Sequence, residues 1–545
     1  MMLDRAATWP DRPMLRHFQN GGWHQISWDE FGRRVCAVAG WLCGSGFSPG
    51  DRVLMVSENR PEYPIAETAL MALRIVPVPA YVSNTVEDHT HIICDSGACA
   101  AIVSSPTLAE RVRAAGMAGP LMVMDGLPEG TIPWAEVLGA PPVVDLAAQA
   151  AAIEPTALAV LLYTSGTGGA PKGVMLPHSA ILSNCRGALA LLREIDVEDD
   201  EIYLSYLPVA HSYEHTVGNF FLPSAGCEIV YARGVEHLAA DMLTIQPTIL
   251  TAVPRVLELI RTRILSQVSR QPAWKRALFQ QALAIGAKRA DGRPLTFPER
   301  LVDPLLDRLV RAKIRARFGG RIKGIVSGAA RLEPEVGRFF LAMGLMLIQG
   351  YGQTEAGPVI SANPPLAVRI DTVGRGLEGV ELRIADDGEI LVRGDLVMQG
   401  YWNRSSETAE AIQDGWLHTG DIGSLDADGY LRITDRKKDM IVLSGGENVS
   451  PARVEGLLVA EPEIAQAVIV GDGAPSVSAL LVPAEGIDAL AVGAAVVRVN
   501  ARLSVTERVR RHVLVPAFGI ENGLLTPSQK VRRREVIRRY RHLLV

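Results

Sequence analysis

The sequence has few of the features that mark exported, membrane-spanning or zinc-binding proteins. Its 545 residues include only six cysteines, and none of them has a CxxC spacing, so we expect reduced, buried thiols rather than disulfides or metal ligands. No charge-free apolar run reaches about 18 residues, and the opening MMLDRAATWPDRP has no basic segment ahead of an apolar one. We therefore expect a cytoplasmic protein with neither a membrane span nor an export signal.

A strong charge of either sign is also missing. The formal net charge is −5, which gives no overall electrostatic reason to bind nucleic acid. The chain is 48% hydrophobic and 21% charged, as in soluble globular proteins, and it is too long for a single core. At least two domains are therefore expected.

Two glycine-containing stretches differ from common nucleotide-binding signatures. The stretch GSGFSPG at residues 44–50 does not have the GxGxxG spacing of a dinucleotide-binding loop. A lysine with glycines nearby occurs in YTSGTGGAPKG, residues 163–173, but Pro171 precedes Lys172, Gly173 follows it, and a strand rather than a helix comes next. The sequence is therefore not that of an ordinary P-loop NTPase.

The same stretch nevertheless has the composition of a phosphate-holding loop. It lies between the apolar runs ALAVLLY and VML, which predict two strands joined by the loop. Its glycines allow close backbone approach to an anion, its hydroxyls can donate hydrogen bonds, and its lysine supplies a mobile positive charge. A flexible surface turn is the alternative reading. The residues expected to hold phosphate are Thr164, Ser165, Gly166, Thr167, Gly168 and Lys172.

The pattern along the chain predicts an α/β fold with layered, mostly parallel sheets. Short apolar strands alternate with amphipathic helices, beginning with a helix capped by Ser27. Residues 203–215, YLSYLPVAHSYEH, are predicted as an apolar strand-like run that ends in histidines. Residues 253–318 predict a long helical insertion between strands, because apolar residues recur there at helical spacing.

The last third of the chain predicts smaller elements. VELRIADDGEILVRGDLVMQGY alternates with period two around a turn at residues 386–388, which indicates a small β-barrel-like subdomain. The polar run at residues 435–439 indicates a domain boundary, followed by a small α+β domain. In the tail, Lys530 precedes a basic helix in which residues 532–534 are expected to form a solvated face. Attraction of these arginines to CoA phosphates or to an anionic membrane surface is the alternative.

Several ordered motifs resemble those of the adenylate-forming superfamily, which includes acyl-CoA synthetases, peptide-synthetase adenylation domains and firefly luciferase. TSGTGGAPKG resembles the signature loop of that superfamily, with Gly168 at a position usually occupied by Thr. YGQTE at residues 351–355 matches its YGxTE motif, and WLHTGD, DRKKD and LTPSQK follow in the expected order. The resemblance covers nearly the whole chain. VPRV at residues 253–256, the helical insertion and SGAARL at 327–332 resemble the long-chain fatty acid branch.

This resemblance implies a site for ATP and Mg²⁺. Tyr351 would pack on adenine, the Thr354 hydroxyl would contact the α-phosphate, and an essential lysine, Lys530, would come from the mobile C-terminal domain. By the same resemblance, adenine would be bordered by Gly328, Ala329 and Gly352; the ribose hydroxyls would be bound by Asp421 and Arg436; and Mg²⁺ would be coordinated by Glu355 and Thr164.

The resemblance also implies where the acyl and thiol substrates bind. His211 would line the acyl side together with the small residues Gly328 and Ala330, while a role for His215 is left open. Lys437 would be the hinge between an N-terminal domain, 1–435, and a C-terminal domain, 436–545. After rotation about this hinge, CoA would meet the turn formed by Ser444, Gly445, Gly446 and Glu447.

The predicted activity is that of an AMP-forming ligase that joins a carboxylic acid, in particular a long-chain fatty acid, to CoA. Three alternatives are left open: transfer to a carrier-protein thiol, an aryl or branched acid as substrate, and a catalytically dead nucleotide-binding or scaffold protein. No nucleic-acid partner is expected. The sequence does not choose between a monomer and a homodimer, or decide for or against peripheral association with the inner membrane face.

Overall fold

The computed structural model describes residues 1–164, 170–194, 200–437, 439–445, 447–526 and 531–543. They form two compact units. Of these described residues, the first unit contains those within 1–164, 171–381 and 393–412, and the second contains residue 170 and those within 382–392 and 413–543.

The strands number 27 in chain order. They are β1 Pro13–Gln19, β2 Gly22–Ser27, β3 Arg52–Val56, β4 Val76–Ala80, β5 Ala100–Val103, β6 Leu121–Val123, β7 Ile132–Pro133, β8 Leu158–Thr164, β9 Lys172–Pro177, β10 Ile202–Ser205, β11 Glu228–Tyr231, β12 Ile249–Ala252, β13 Gly324–Ser327, β14 Leu347–Gly352, β15 Val359–Ala362, β16 Arg375–Gly376, β17 Glu381–Ile384, β18 Glu389–Arg393, β19 Gly400–Tyr401, β20 Ile412–Gln413, β21 Trp416–Leu425, β22 Leu431–Arg436, β23 Ile441–Val442, β24 Asn448–Val449, β25 Ile464–Val470, β26 Val477–Pro483 and β27 Val509–Leu514.

The α-helices are α1 Met2–Thr8, α2 Trp28–Gly44, α3 Glu62–Ala72, α4 Val86–Ser96, α5 Pro106–Ala114, α6 Trp134–Leu138, α7 Leu146–Ala151, α8 His178–Leu192, α9 Ser212–Thr216, α10 Leu222–Ser224, α11 Leu238–Ile245, α12 Pro254–Ser269, α13 Ala273–Ala290, α14 Phe297–Leu306, α15 Ala312–Ala316, α16 Pro334–Ala342, α17 Ser405–Ala411, α18 Pro451–Val459, α19 Ala489–Asn500 and α20 Arg533–Tyr540. π-helical turns occur at Val217–Phe221 and Asp307–Arg311.

The first unit contains two large sheets and a small one. The nine-stranded sheet has the order β16-β15-β14-β13-β12-β10-β11-β1-β2, and the six strands from β14 to β1 are parallel. The five-stranded sheet, β4-β3-β5-β6-β7, is entirely parallel. Ligand sites in such sheets form where parallel strands end, so the carboxyl ends of β10, β12, β13 and β14 are the place to look for one.

The second unit is built around smaller sheets. An antiparallel sheet joins β18, β21 and β22, and a separate three-stranded sheet has the order β25-β26-β27. Helices α18 and α19 contribute to the core of the latter sheet. Layered α/β sheets with a smaller C-terminal α+β domain confirm the predicted fold class.

Most predicted local elements are present. The helix capped by Ser27 begins at Trp28, and the Ser27 hydroxyl accepts a hydrogen bond from the Glu30 N–H. The insertion predicted over residues 253–318 is helical and lies between β12 and β13. Within the described ranges, no helix combines the length and apolar character needed to cross a membrane.

The predicted strand-like run at residues 203–215 is wrong in its second half. Strand β10 ends at Ser205, and α9 begins at Ser212. Pro208 lacks an N–H for continued strand pairing, and the His211 side chain accepts a hydrogen bond from the Tyr213 N–H as the N-cap of α9. The histidine that the sequence suggested at a strand end therefore begins a helix.

The prediction of a fully solvated arginine face on the last helix is also wrong at one position. Both Glu455 carboxylate oxygens accept hydrogen bonds from the Arg533 guanidinium at 2.6 Å. The same guanidinium donates to the Ile469 carbonyl, and Glu455 accepts from the Ile469 N–H. Burial raises the pKa of Glu455, and the arginine opposes that rise. Arg533 therefore joins α20 to α18 and β25.

Replacement of Arg533 with Ala should destabilise the second unit by about 3 kcal/mol, because the Glu455 carboxylate would be left buried without its partner. The matched control is Arg538→Ala on the same helix, since the Arg538 side chain is 81% exposed and its ion pair lies on the surface. Thermal and urea unfolding of the full chain measure the difference. Identical unfolding curves for the two variants would contradict the structural role of Arg533.

Candidate active site

The predicted phosphate loop connects two antiparallel strands of the first unit. In the hairpin formed by β8 and β9, Thr164 lies opposite Lys172 and Tyr163 lies opposite Gly173. The loop residues Ser165, Gly166, Thr167 and Gly168 lie outside the described residues. The two ends of the loop, one carrying a hydroxyl and the other an ammonium group, are therefore held side by side by strand pairing.

A third strand connects the lysine end of this hairpin to a carboxylate through a tyrosine side chain. Strand β19 pairs with β9, and Tyr401 lies opposite Val174. The Lys172 ammonium lies 4.9 Å from the centre of the Tyr401 ring, and the Tyr401 hydroxyl donates a hydrogen bond to Glu355 Oε1 at 2.9 Å. Tyr401 therefore links the predicted phosphate-binding lysine to the predicted metal-binding carboxylate.

Close packing explains the glycine after Lys172. A Cβ atom on Gly173 would lie 3.0 Å from the Leu161 side chain, 3.1 Å from the Tyr163 ring and 3.2 Å from Trp402 Cβ. The carbonyl of Gly173 accepts a hydrogen bond from the Trp402 N–H at 2.7 Å. A side chain at this position would require these neighbouring side chains to shift by a few tenths of an ångström.

Asp95, at the end of α4, connects strand β8 to the residues that follow β19. Its carboxylate accepts hydrogen bonds from the Tyr163 hydroxyl at 2.7 Å and from the Arg404 guanidinium at 2.9 Å. Its backbone carbonyl accepts from the Trp402 indole N–H at 3.0 Å. Burial and this carboxylate raise the pKa of Tyr163 far above its ordinary value, so the phenol stays protonated.

The YGQTE motif is located as predicted, at the carboxyl end of a strand. Strand β14 ends at Gly352, and a 3₁₀ turn contains Thr354 and Glu355. The side chain of Asn184 fixes this turn by donating to the Ala356 carbonyl and accepting from the Val359 N–H. A Cβ atom on Gly352 would lie 1.9 Å from the Pro358 carbonyl oxygen, so the close strand pairing requires glycine there.

The predicted acyl wall lies at the same edge of the nine-stranded sheet. Gly328 and its neighbours Ala329 and Ala330 follow β13, the parallel neighbour of β14. The Tyr213 ring packs against Gly328, and its hydroxyl donates to the Val326 carbonyl at 3.0 Å. The expected free space beside Gly328 is therefore bounded by the Tyr213 ring.

Helix α9 connects this wall to the YGQTE motif. The hydroxyls of Ser212 and Thr354 lie 3.0 Å apart, with Thr354 as the donor. His211 caps the helix. In the segment after β13, Ala329 adopts a left-handed backbone conformation with a φ of 66°, which is uncommon for a residue with a side chain. His215 is fully buried, and its Nε2 atom lies 2.7 Å from Glu67 Oε1, so its contact in the structure is an internal hydrogen bond.

A buried carboxylate fixes α9 to two strands. Glu214 Oε2 accepts a hydrogen bond from the Tyr203 hydroxyl and Oε1 accepts from the Ser205 hydroxyl, both at 2.6 Å. The Tyr203 hydroxyl also lies 2.6 Å from the Thr251 hydroxyl on β12. Burial raises the pKa of Glu214 to about 7, although its hydrogen bonds lower it in part.

The second unit brings together the two residues predicted to bind ribose. Asp421 on β21 and Arg436 on β22 are opposite each other in the strand register, and Arg436 Nε lies 3.0 Å from Asp421 Oδ1. Asp421 is buried, whereas the guanidinium is half exposed. Their pairing gives this unit an acidic and a basic group side by side.

The predicted hinge residue is anchored within the second unit. The Lys437 ammonium contacts Asp387 Oδ2 at 2.5 Å and Glu389 Oε2 at 3.0 Å, and these carboxylates raise its pKa. The Lys437 N–H donates to the Gly420 carbonyl at 2.8 Å. The residue that follows, 438, lies outside the described residues.

The predicted CoA-binding turn joins strands β23 and β24. The Leu443 N–H donates to the Glu447 carbonyl, and the Ser444 N–H donates to the Ala474 carbonyl. A Cβ atom on Gly445 would lie 2.4 Å from the Glu447 carboxylate. Gly446 and the predicted catalytic residue Lys530 lie outside the described residues.

Sequence reasoning missed several residues at these sites. Tyr401, Asp95, Asn184 and Glu214 act through contacts with segments distant in the chain, and no local motif contains them together with their partners. The run MQGYWNR contains an aromatic pair next to a predicted strand, which is the only signal that could have drawn attention to Tyr401.

Comparisons with known proteins agree with this organisation. The family described as AMP-binding enzyme matches residues 3–402, and the AMP-binding enzyme C-terminal domain matches residues 438–544. A long-chain-fatty-acid–CoA ligase of Mycobacterium tuberculosis is 32% identical over 577 aligned positions, which cover 99% of this chain and 95% of the relative. A feruloyl-CoA synthase of a Streptomyces species is 29% identical over 504 positions, covering 88% of each chain.

Solved structures extend the comparison to the fold. An o-succinylbenzoate–CoA synthetase of Bacillus subtilis, in complex with its acyl-adenylate intermediate, has a TM-score of 0.75 at 22% identity and covers 98% of this chain and 97% of its own. An anthranilate–CoA ligase in complex with anthranoyl-AMP has a TM-score of 0.78 at 20% identity, covering 100% and 97%. The layered sheets and the small C-terminal unit thus have the architecture of adenylate-forming enzymes. Within that class, the chain belongs to the AMP-binding enzyme family.

The buried Glu214 gives a prediction about pH. Because its pKa in the folded chain is about 7, folded protein binds more protons than unfolded protein between the ordinary glutamate pKa and 7. The free energy of unfolding that this residue contributes therefore falls as pH rises through that window. Glu214→Gln remains neutral, so its melting temperature relative to the parent chain should rise by a few degrees between about pH 5 and pH 8.

Thermal unfolding of both proteins across this pH range measures the effect. Glu110→Gln, at an exposed position of α5, is the matched control and should show a constant difference. A Glu214→Gln difference that does not change with pH would contradict the raised pKa.

Proposed function

We propose that this protein is an AMP-forming ligase that activates a long-chain fatty acid with ATP and passes the acyl group to CoA. One observation supports the adenylating step above all others. Lys172, at the end of the predicted phosphate loop, is linked through Tyr401 to Glu355 of the YGQTE motif. Attack on the α-phosphate of ATP requires a cation and a metal-binding carboxylate in fixed positions. The reason is that the barrier of this reaction depends mostly on charge stabilisation and on alignment of the reacting groups.

In the first half-reaction, a carboxylate oxygen of the acid attacks the α-phosphorus of ATP, a phosphorus–oxygen bond forms, and pyrophosphate leaves. Lys172 and the loop hydroxyls, including Thr164, would hold the phosphates. The Thr354 hydroxyl would donate to the α-phosphate once its bond to Ser212 is released. Lys530 would supply a second positive charge from the C-terminal domain. No side-chain nucleophile is needed for this chemistry.

Mg²⁺ fits the donors present in the first unit. In the described part of the chain, no group of three or more His, Cys, Asp or Glu side chains is placed to hold a metal ion. Mg²⁺ in nucleotide sites commonly uses one or two carboxylates together with phosphate oxygens and water. Glu355 and Thr164 would hold the ion here, and its charge would offset the negative charge that develops on the phosphates.

Residues proposed to bind the nucleoside part of ATP occur in each of the two units. Tyr351 and the glycines and alanines that follow β13 would border adenine, while Asp421 would accept hydrogen bonds from the two ribose hydroxyls. Arg436, which is bonded to Asp421, would orient that carboxylate. A carboxylate can accept from two neighbouring hydroxyls at once.

In the second half-reaction the CoA thiol attacks the acyl carbonyl, a carbon–sulfur bond forms, and AMP leaves. We propose that the domain formed by residues 436–545 turns about Lys437 for this step, so that Lys530 leaves and the turn at residues 444–447 approaches the thiol. The Lys437 contacts with Asp387 and Glu389 would hold one of the two orientations. The same domain would then serve both half-reactions.

A long acyl chain is supported by the relative from M. tuberculosis, whose name specifies a long-chain fatty acid and which aligns with 99% of this chain. The helical insertion between β12 and β13, which resembles that of the long-chain branch, packs apolar side chains into the core of the same unit. An aryl acid is the second candidate, supported by the feruloyl-CoA synthase and by the Tyr213 ring beside Gly328. Transfer to a carrier protein would use the same ATP motifs.

The substrate proposal predicts a maximum for long saturated acids when purified protein is assayed with ATP, Mg²⁺ and CoA. Acids from C2 to C20, ferulate, benzoate and branched acids are compared by acyl-CoA formation and AMP release. A maximum at acetate or benzoate would contradict the substrate proposal. Formation of acyl-CoA without any carrier protein would reject transfer to a carrier protein. AMP release that does not depend on an acid would contradict the proposed ligase activity.

The two half-reactions should separate in two variants. Lys530→Ala should lower acid-dependent ATP–pyrophosphate exchange by several orders of magnitude and spare thioester formation from supplied acyl-AMP, because the lysine is needed only while phosphate charge develops. Lys313→Ala, at an exposed lysine of α15, is the control. Undiminished exchange in Lys530→Ala would contradict its role.

Lys437→Pro should have the opposite effect. It removes the N–H bonded to Gly420 and fixes φ at the hinge, so adenylation should survive while thioester formation falls. Lys437→Ala keeps the N–H and loses only the two carboxylate contacts, so it separates backbone rotation from side-chain anchoring. If Lys437→Pro supports both half-reactions, the hinge lies elsewhere.

A further inference from the structure

Helix α14 and the π-helical turn after it have apolar residues on two faces. Leu306, with Val302 and Val310 beside it, packs against α13 in a small apolar cluster. The opposite face carries Phe297, Leu301, Leu305 and Leu309 at four-residue intervals, and these side chains are exposed to 75%, 67%, 55% and 40%. Residues four apart lie above one another on a helix. The four therefore form one apolar row, here called the outer row.

The charges around the outer row are separated by sign. Every acidic residue between Phe297 and Arg311 pairs with a basic residue of the same helical insertion: Glu299 with Lys288, Asp303 with Arg289 and Arg311, and Asp307 with Arg315. Arg300 and Arg308 alternate with the row on the exposed side. In the part of the chain that the structure describes, neither of them forms an ion pair. The exposed side is therefore apolar and positive.

The helical insertion as a whole has the same sign. Residues 254–318 contain fifteen Lys and Arg against five Asp and Glu, a formal charge of +10, so the rest of the chain carries −15 for a total of −5. An anionic surface would attract this segment and repel the remainder, which fixes the orientation of approach.

We propose that the outer row docks on the surface of an anionic lipid bilayer. An apolar row flanked by arginines is the pattern of helices that lie in the plane of a membrane interface. The arginine side chains can extend to headgroups while the leucines enter the acyl boundary. A second copy of the chain fits less well, because symmetric contact would bring like charges together and four side chains fall far short of the roughly 20 residues per side of a stable interface.

Vesicle flotation of the full-length protein tests this proposal. Vesicles of phosphatidylcholine containing one third phosphatidylglycerol are compared with pure phosphatidylcholine, at low and at high salt. The protein should float with the anionic vesicles and not with the neutral ones, and high salt should release it. Absence of flotation with either vesicle, or equal flotation with both, would overturn the proposal.

Substitutions locate the contact. The double variant Leu301→Glu with Leu305→Glu should lower the bound fraction on anionic vesicles at least tenfold, and Arg300→Gln with Arg308→Gln should lower it several-fold. The matched control is Leu490→Glu with Val497→Glu on α19, where the side chains are 85% and 70% exposed; it should bind like the parent chain. Since all these positions are exposed, the substitutions bury no charge and should not destabilise the fold. Thermal unfolding curves that match the parent chain verify that the variants are folded.

Two results would overturn the assignment. In the first, the Leu301 and Leu305 variant binds anionic vesicles as the parent chain does. In the second, light scattering shows that the parent chain is a dimer and that this variant is a monomer, which would make the outer row a contact between copies. Neither result depends on which acid the enzyme activates.

Discussion

The pairing of β19 with the β8–β9 hairpin is the interaction on which the chemistry of the first unit depends. It places a tyrosine from residue 401 between a lysine and a carboxylate that are 183 positions apart in the sequence. Without that pairing, Lys172 would have no fixed relation to Glu355, and the loop would be only a flexible turn between two strands. Gly173 is part of the same constraint, because a Cβ atom there would lie only 3.0–3.2 Å from the side chains of Leu161, Tyr163 and Trp402.

The predicted acyl wall depends on a second, buried interaction. Helix α9 is a single short helix, too short to be stable alone, yet it carries Ser212 and Tyr213, which contact the YGQTE motif and Gly328. Glu214 fixes it through Tyr203 and Ser205 on β10, with Thr251 on β12 completing the network. A buried carboxylate is costly unless it is fully hydrogen-bonded, so this arrangement orients the wall at the expense of stability near neutral pH.

The sequence predicted the strand-to-loop-to-strand hairpin, the YGQTE strand end and the helical insertion, because each is encoded by apolar periodicity and by turn residues within a few positions. It could not predict the partners of these elements. The contact of Tyr401 with Glu355 joins segments 46 residues apart through strand pairing, and the burial of Arg533 depends on Glu455, 78 residues earlier. A run of arginines indicates a solvated face when only local charge is considered. The prediction of a strand that continues to His215 was wrong for a local reason. Pro208 interrupts strand pairing, and His211 caps the helix that begins at Ser212.

The contacts of Lys172 are weak enough for the lysine to serve a phosphate. Its ammonium lies 3.8 Å from Glu407, and both side chains are about one third exposed. Ion pairs of this kind contribute roughly 0–1 kcal/mol, and a cation over a partly buried tyrosine ring contributes roughly 1–2 kcal/mol. A triphosphate carries several negative charges and would displace Glu407 at little cost.

Tyr401, in contrast, is mostly buried and bonded to Glu355, and burial with that carboxylate raises the pKa of its phenol. The lysine can therefore move to the nucleotide while the tyrosine keeps the carboxylate oriented.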